Sequence, residues 1–496
     1  MSAAKDSIAE RPEFLPFVDE ANRRVDLALS GQEGGISEAV AGAANKLSYV
    51  WYLSSASSAL IQPFSVFITG LPIIGANHGS MAGAAKEISK AVGLINQYGV
   101  TRKNVDGTTS WSAPSLANNT SLPADERRAI KEMTNRGVQE STYASLVWEY
   151  KRTPSADLDS LTEKGKRLGD VLIGGLMHNT ERLTREAVYL ASYRMGRNRG
   201  LSFEEAVDQA VSDTNEALAD YDISNRPRWM QQGLGRIAFQ FKMYPLHMIL
   251  LMLTNFKRML PLLNKEGKAE AAKKFFGIIG TTGMLAGVSG LPTFSAVMGT
   301  ASWAMKQMAD DDELPEEFKD KDLESWFRFV FLPEKLGDMK IGGVPVSDIL
   351  DRGVLNALTG WDIASRIGLN DIWFRDAKEE RTAREAAIAF FLDNFGGPIT
   401  SITLSWVDAY EAFMLGDYQK AMERALPAVA RNLVIANKYS EEGVKNARGA
   451  ELIPKDEVTA GMKFGQSVGF RPDKIATAQA AAYKTTAAEQ KVIYER

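Results

Sequence analysis

The chain has 496 residues, a formal net charge of −4, 45% hydrophobic and 24% charged residues, and no cysteine. That length admits two to four domains or one extended helical assembly, and a mean hydropathy of −0.19 argues against a polytopic membrane protein. The slightly acidic balance argues against a general nucleic-acid binder, and the missing cysteines exclude disulfides, thiolate catalysis and cysteine-held metals.

Residues 1–45 alternate charged and small side chains and predict an exposed helical arm, broken at Gly31-Gln32-Glu33-Gly34-Gly35. Its first residues carry charges every few positions, unlike the apolar core of a secretory signal. Leu47 to Ala85 then contains no Lys, Arg, Asp or Glu. The block exceeds the roughly 20 residues that span a bilayer, yet it is rich in serine and broken by Pro63, Gly70 and Pro72. Each hydroxyl would need a partner in lipid. A buried helix–turn–helix is therefore favoured over a masked membrane hairpin carrying Trp51, Phe64 and Phe67.

A short amphipathic helix and a polar loop fill residues 86–120. Leu122-Pro123-Ala124-Asp125-Glu126 marks a helix start, with proline in the first turn and acids at the positive end of the dipole. A further helix is expected from Gly137 to Tyr150. From Ser160 to Arg199 the spacing is helical, with Leu183, Ala187, Leu190 and Ala191 on one face and a favourable Glu181–Arg185 pair. This segment ends on Arg194, Arg197 and Arg199. A solvated face is favoured there over a phosphate-contacting ridge, although Tyr189 and Tyr193 interleave with the arginines. Ser202-Phe203-Glu204-Glu205 supplies an N-cap and an acidic first turn to the next helix.

Ile223 to Leu263 runs against the acidic background. Arg226, Arg228, Arg236, Lys242, Lys257, Arg258 and Lys265 are met by no acid between Asp222 and Glu266. The apolar run Met243 to Phe256, with Pro245 near its start, is too short to cross a bilayer. The whole stretch Ile223–Leu263 is therefore expected to be a central amphipathic helix that meets phosphate or lipid headgroups at its ends. A second charge-free block, Phe275 to Met305, holds Phe275, Phe276, Trp303 and the small-xxx-small pair Gly283 and Gly287. Glycine at that spacing permits close helix approach, either in a buried glycine-rich hairpin or in a membrane, and the two charge-free blocks are the stronger spanning candidates.

The acidic run from Asp310 to Glu324 reads as an exposed linker. Four regions follow: an arm at 1–45, a helical core at 46–309, the linker at 310–324 and a helical region at 325–496. In the last, Met339 to Val346 is the one plausible β-hairpin. A helix from Ala377 breaks at Gly396-Gly397-Pro398, two more occupy 399–440, and an alanine-rich helix ends the chain. The fold class is mainly α: an extended multi-helix assembly with at most one small β-hairpin.

Phosphate loops of the Gly-x-x-x-x-Gly-Lys-Ser/Thr type, strand–glycine–helix dinucleotide fingerprints and His-Glu-x-x-His are missing, and His78, His178 and His247 lie far apart in sequence. No cofactor, no metal and no enzymatic activity are expected.

Several phrases together carry a resemblance. GRIAFQFKMYPLHM (235–248), the apolar stretch LSYVWYLSSASSALIQPFSVFITGLPIIGA, RGVLNALTGWDIASRIG (352–368), GGPITSI (396–402), LPAVARNLVIANKYSEEGVKNARG (426–449) and FGQSVGFRPDKIATAQ (464–479) stand in a consistent order. The chain resembles the C-terminal regions of very large tailed-phage virion proteins of the polyvalent or PLxRFG type, related in kind to the internal ejection proteins of short-tailed phages. Such proteins often carry lytic transglycosylase, protease or polymerase modules upstream; none is present in this chain, so the resemblance implies no such activity. It implies a protein inside the virion, near the portal, ejected into the host envelope. The implied partners are further copies of itself, other virion core or portal proteins, genomic DNA, and the host membrane after ejection.

Overall fold

The computed structural model describes residues 15–30, 36–98, 102–103, 109–110, 115–139, 176–221, 225–231, 233–259, 267–292, 327–369, 397–446 and 449–479. Outside them lie Trp303, the acidic run 310–324, most of the expected helix 137–150, the start of the 160–199 segment, the helix expected from Ala377, and residues 480–496 of the expected terminal helix.

The fold is mainly α. α1 (Leu15–Ser30) and α2 (Ile36–Leu53) precede the short α3 (Ala56–Leu60), α4 (Leu71–Asn77) and the longer α5 (Met81–Tyr98). α6 (Ala124–Asn135), α7 (Leu176–Asn198) and α8 (Phe203–Leu218) follow, then α9 (Gly233–Ala238), α10 (Met243–Met259) and α11 (Lys268–Ala286). The C-terminal part holds α12 (Leu332–Leu336), α13 (Val346–Thr359), α14 (Ala364–Ile367), α15 (Gly397–Met414), α16 (Tyr418–Ala425), α17 (Ala428–Glu442) and α18 (Ala460–Val468). Strands are minimal. The expected hairpin forms as β3 (Lys340–Ile341) against β4 (Val344–Pro345), and two further antiparallel pairs flank it in sequence: β1 (Arg102–Lys103) with β2 (Thr109–Ser110), and β5 (Val444–Lys445) with β6 (Glu451–Ile453).

Helix starts follow the local chemistry. α6 begins after Pro123 with Asp125 and Glu126 in its first turn. At α8 the Ser202 hydroxyl accepts from the Glu205 N–H while the Glu205 carboxylate accepts from the Ser202 N–H at 2.9 Å, a reciprocal capping box.

α7 is the hub. Val188, Ala191 and Met195 enter one apolar cluster with Ile73, Ile74, Ile88, Met248 and Ile278. Tyr189 and Tyr193 enter a second with Met133, Ala206 and Ala210. Ala187 and Leu190 enter a third with Leu116 and Ile130. A helix that faces apolar neighbours on three sides must be buried all round, and residues 187–191 are buried without exception. The expected face of Leu183, Ala187, Leu190 and Ala191 is thus one part of a stretch, residues 183–193, that is enclosed on every side.

Two expectations for the apolar segments change. Ile223–Leu263 is not one helix. It divides into a 3-10 turn at Arg228–Met230, α9 and α10. Pro245 has no N–H to donate and is tolerated only in a first turn, so α10 starts two residues before it. The described residues take in the whole first charge-free block and the second as far as Pro292, and among them no helix is long and apolar enough to cross a membrane. The first block is cut after Leu53 and between Ile61 and Pro63, and it is largely buried, with Trp51, Ile68, Ile73 and Ile74 inside. The buried helix–turn–helix reading is the one realised.

A fourth cluster joins Ile68 and Leu285 to Ile363, Ile367 and Phe470, drawing on both sides of the acidic run in sequence. The contact beneath it is glycine-dependent. The end of α11 and the middle of α13 meet backbone to backbone at Gly287 and Gly353.

Candidate interaction surfaces

Three of the phrases that carry the resemblance converge in space, joined by the serine run of a fourth. From 352–368, the Arg352 guanidinium donates to Asp473 Oδ1 at 2.6 Å and the Asn356 amide donates to the same oxygen at 2.9 Å. Trp361 stacks on Phe470 at 5.5 Å between ring centroids, over Gly465, where a Cβ would fall 2.4 Å from the indole nitrogen. Arg366 donates to Ser57 Oγ at 2.9 Å and to the Gly469 carbonyl at 2.7 Å. Gln466 reaches Asn432 in the 426–449 phrase at 3.3 Å. This knot ties the serine run after α2 to the C-terminal helices. It fixes geometry and encloses its polar groups rather than presenting them.

A second buried network lies at the hub. His78 Nε2 sits 3.0 Å from Asp213 Oδ2 and 3.2 Å from Ser192 Oγ, and Ser192 Oγ donates to the same Asp213 oxygen at 2.6 Å. The composition matches a serine–histidine–aspartate relay, but the geometry does not. A relay needs the carboxylate on one ring nitrogen and the hydroxyl on the other. Here one nitrogen meets both, Nδ1 has no partner, and the His78 and Asp213 side chains are fully buried. Burial pushes the Asp213 carboxyl up, but hydrogen bonds from His78, Ser192, Asn77 and Gln209 outweigh it and hold it below its usual range. One turn further along α8, Glu216 accepts from Lys274 Nζ at 2.8 and 2.9 Å, and its carbonyl lies 2.8 Å from His247 Nε2. These contacts bind α10 and α11 to α8. Among the described residues no cluster of His, Asp or Glu could hold a metal ion.

Of the arginines expected to contact phosphate, Arg194, Arg226 and Arg236 are turned inward, whereas Arg197, Arg199 and Arg228 are exposed. Arg194 donates to Glu126 at 2.8 and 2.7 Å. Arg197 and Arg199 are exposed, and each donates to a backbone carbonyl, of Leu201 and Asn77. Arg226 and Arg236 are buried, and Arg228 pairs with Glu20 across 208 positions of sequence. Lys242 and Arg258 are half-buried, and Lys257 is exposed. A buried guanidinium cannot reach a phosphate chain, so no continuous basic ridge forms from Arg194 to Arg236.

Of the residues expected to be membrane-active, Trp51 is buried and lies edge-on to Trp406 at 5.6 Å. Phe64 and Phe67 pack against the cluster around Ile68. Gly283 is half-buried beside Leu291, and Gly287 is enclosed. Phe275 is half-buried, whereas Phe276 is 61% exposed.

Two helical hairpins present apolar faces outward. On α15 and α16 these are Leu404, Val407, Tyr410, Phe413, Tyr418 and Met422, with Leu415 85% exposed at the tip. On α10 and α11 they are Leu250, Leu253, Phe256, Phe276 and Met284. The first hairpin was expected only as helix. The available signal was compositional, since α15 has no charge before Asp408 and is apolar nearly all round. A helix of that kind is buried or belongs to an interface.

Compared with known proteins, the chain matches no family model, no curated protein and no solved structure.

Proposed function

We propose that this chain is an internal virion protein of a tailed phage, working as a homo-oligomer beside other core or portal proteins in genome delivery, where it forms or anchors a conduit across the host envelope. Its place would be the virion interior before ejection and the host envelope afterwards. The role is structural and needs no catalysis. The ordered set of motifs supports the viral setting.

The observation that carries the reading is the α15–α16 face. Monomeric soluble proteins rarely expose contiguous apolar patches beyond a few hundred Å². This hairpin leaves Tyr410, Phe413, Met414, Leu415, Tyr418 and Met422 each at least half exposed on adjacent turns. Burying a large apolar side chain stabilises by about 1.5–3 kcal/mol, so a face of this kind favours assembly with another protein surface. Four acids and two bases lie between Gly397 and Ala425, which suits a protein partner better than an anionic lipid or DNA.

The test is the mass of the purified protein in solution beside that of a Tyr410→Glu/Phe413→Glu variant. Wild-type oligomers that the variant cannot form are expected. A wild-type chain that stays monomeric at micromolar concentration overturns the assembly reading, and its absence from purified virions overturns the viral one.

A purely structural portal-core or scaffold role is the second reading. It is favoured by the burial of the first charge-free block, whose apolar residues already have partners inside the chain. A DNA-contacting role is disfavoured by the inward placement of Arg226 and Arg236.

A further inference from the structure

α10 and α11 run antiparallel, and each has two distinct faces. Met248 and Leu251 of α10 and Ile278 of α11 point into the central cluster and are buried. On the opposite side Leu250, Leu253 and Phe256 of α10 lie beside Phe276 and Met284 of α11, all at least 45% exposed. Phe256 and Phe275 pack across the hairpin at 5.7 Å, which joins the two helices into one surface. Gly280, on the same exposed side, has nothing within 4 Å of its Cβ position, so among the described residues no neighbouring element covers that position.

The charges are segregated. Between Met243 and Ala286 there are six basic residues and two acids, and in sequence every one of these charges falls between Lys257 and Lys274. Lys257 and Lys273 are exposed there. Lys257 follows Leu253 by four positions and Lys273 precedes Phe276 by three, spacings that set each lysine on the same side of its helix as the apolar residue. Glu270 does not cancel them, because Lys274 holds it at 3.1 Å and Arg258 lies 4.0 Å away.

We propose that the outward face of the α10–α11 hairpin docks on an anionic lipid bilayer, lying flat in the interface with Leu250, Leu253, Phe256, Phe276 and Met284 among the acyl chains and Lys257 and Lys273 at the headgroups. The biological setting rests on the delivery reading above. Charge selects the occupant. The α15–α16 face carries an excess of acids and would be repelled by an anionic surface, whereas this one carries an excess of bases and is attracted. Length selects the mode: α10 has 17 residues and α11 has 19, and neither is apolar enough to span. An amphipathic helix with lysine at its border binds in the plane instead. Docking in this way leaves the inner face on the core, so the protein can bind lipid without unfolding.

The test is flotation of the full-length protein with vesicles of phosphatidylcholine alone and of phosphatidylcholine mixed with phosphatidylglycerol. Binding to the anionic vesicles should exceed binding to the neutral ones by about tenfold and weaken with salt. Leu253→Ser/Phe276→Ser and Lys257→Gln/Lys273→Gln should each lower it by about tenfold. The apolar pair is 58% and 61% exposed, so circular dichroism and the melting temperature should match wild type and separate lost docking from lost folding. Equal binding by wild type and both variants, or no preference for anionic vesicles, overturns the proposal. So does a serine variant that changes the oligomeric mass and leaves vesicle binding intact, because the face would then belong to a second copy. Assembly through α15–α16 and location in the virion are read independently, so failure here leaves the delivery reading standing.

Discussion

Gly287 at the end of α11 and Gly353 within α13 pack reciprocally, each occupying space that the other's chain leaves only for a hydrogen. A Cβ on Gly287 would lie 2.3 Å from the Asp351 carbonyl oxygen, and one on Gly353 would lie 2.2 Å from that of Leu285. Both residues have positive φ, 70° and 81°. Ser289 Oγ closes the crossing by donating to the Asp351 carbonyl at 2.7 Å.

Alanine at either position meets backbone and not a movable side chain, and it also enters a disfavoured φ. Gly287→Ala and Gly353→Ala should each cost about 2–4 kcal/mol. Gly280→Ala lies in open space on the same helix and should stabilise by up to about 1 kcal/mol. Urea unfolding midpoints check both, and a Gly287→Ala protein as stable as wild type would remove the crossing from the account of the fold.

Lys274 is 4% exposed at its side chain and bonds Glu216 through two contacts. Removing Lys274 leaves the Glu216 carboxylate partly enclosed without its cation, whereas removing both leaves an apolar contact. Glu270, the second partner of Lys274 at 3.1 Å, still has Arg258 at 4.0 Å. Lys274→Met should cost about 2–4 kcal/mol, and Glu216→Leu added to it should recover more than half. A double-mutant cycle on unfolding free energies tests the coupling, and strict additivity would refute it.

Asp213 accepts four side-chain hydrogen bonds and its carboxyl is held below the usual range. A depressed acid contributes stability above its unfolded value near 3.8, lost as pH falls through the lower folded value. Asp213→Asn turns one acceptor into a donor facing donors. The variant should be less stable by about 2–4 kcal/mol at neutral pH, and its stability should fall less steeply in acid. Stability curves from neutral pH down to the acid limit measure both effects.

His247 behaves in the opposite sense to a salt-bridged histidine. Burial lowers its pKa, outweighing the hydrogen bond and charge of Glu216. The unfolded chain therefore takes up a proton first, and stability present above about 6.5 is lost as pH falls from there toward the lower folded value. His247→Gln can keep a donor for the Glu216 carbonyl and removes the titration. Its melting temperature should drop less than that of wild type between neutral pH and the acid side of that window.

The sequence alone determined the helical class, the β3–β4 hairpin, the starts of α6 and α8 and the burial of the first charge-free block. All of these follow from local causes: proline without a donor, acids at a helix start, turn residues, and hydroxyls that need partners. Asp213 also left a trace, as one carboxylate in the stripe Ala206, Ala210, Asp213, Ala217, although its partners His78 and Ser192 did not. Only the tertiary structure decided that Arg226 and Arg236 turn inward, that Gly287 meets Gly353, and that α10 and α15 keep outer faces free. A run of arginines or apolar residues has the same local pattern whether it faces a neighbour, a partner or solvent. Which it faces depends on contacts with elements far along the chain, as where α7 draws residues from both sides of itself in sequence into three apolar clusters.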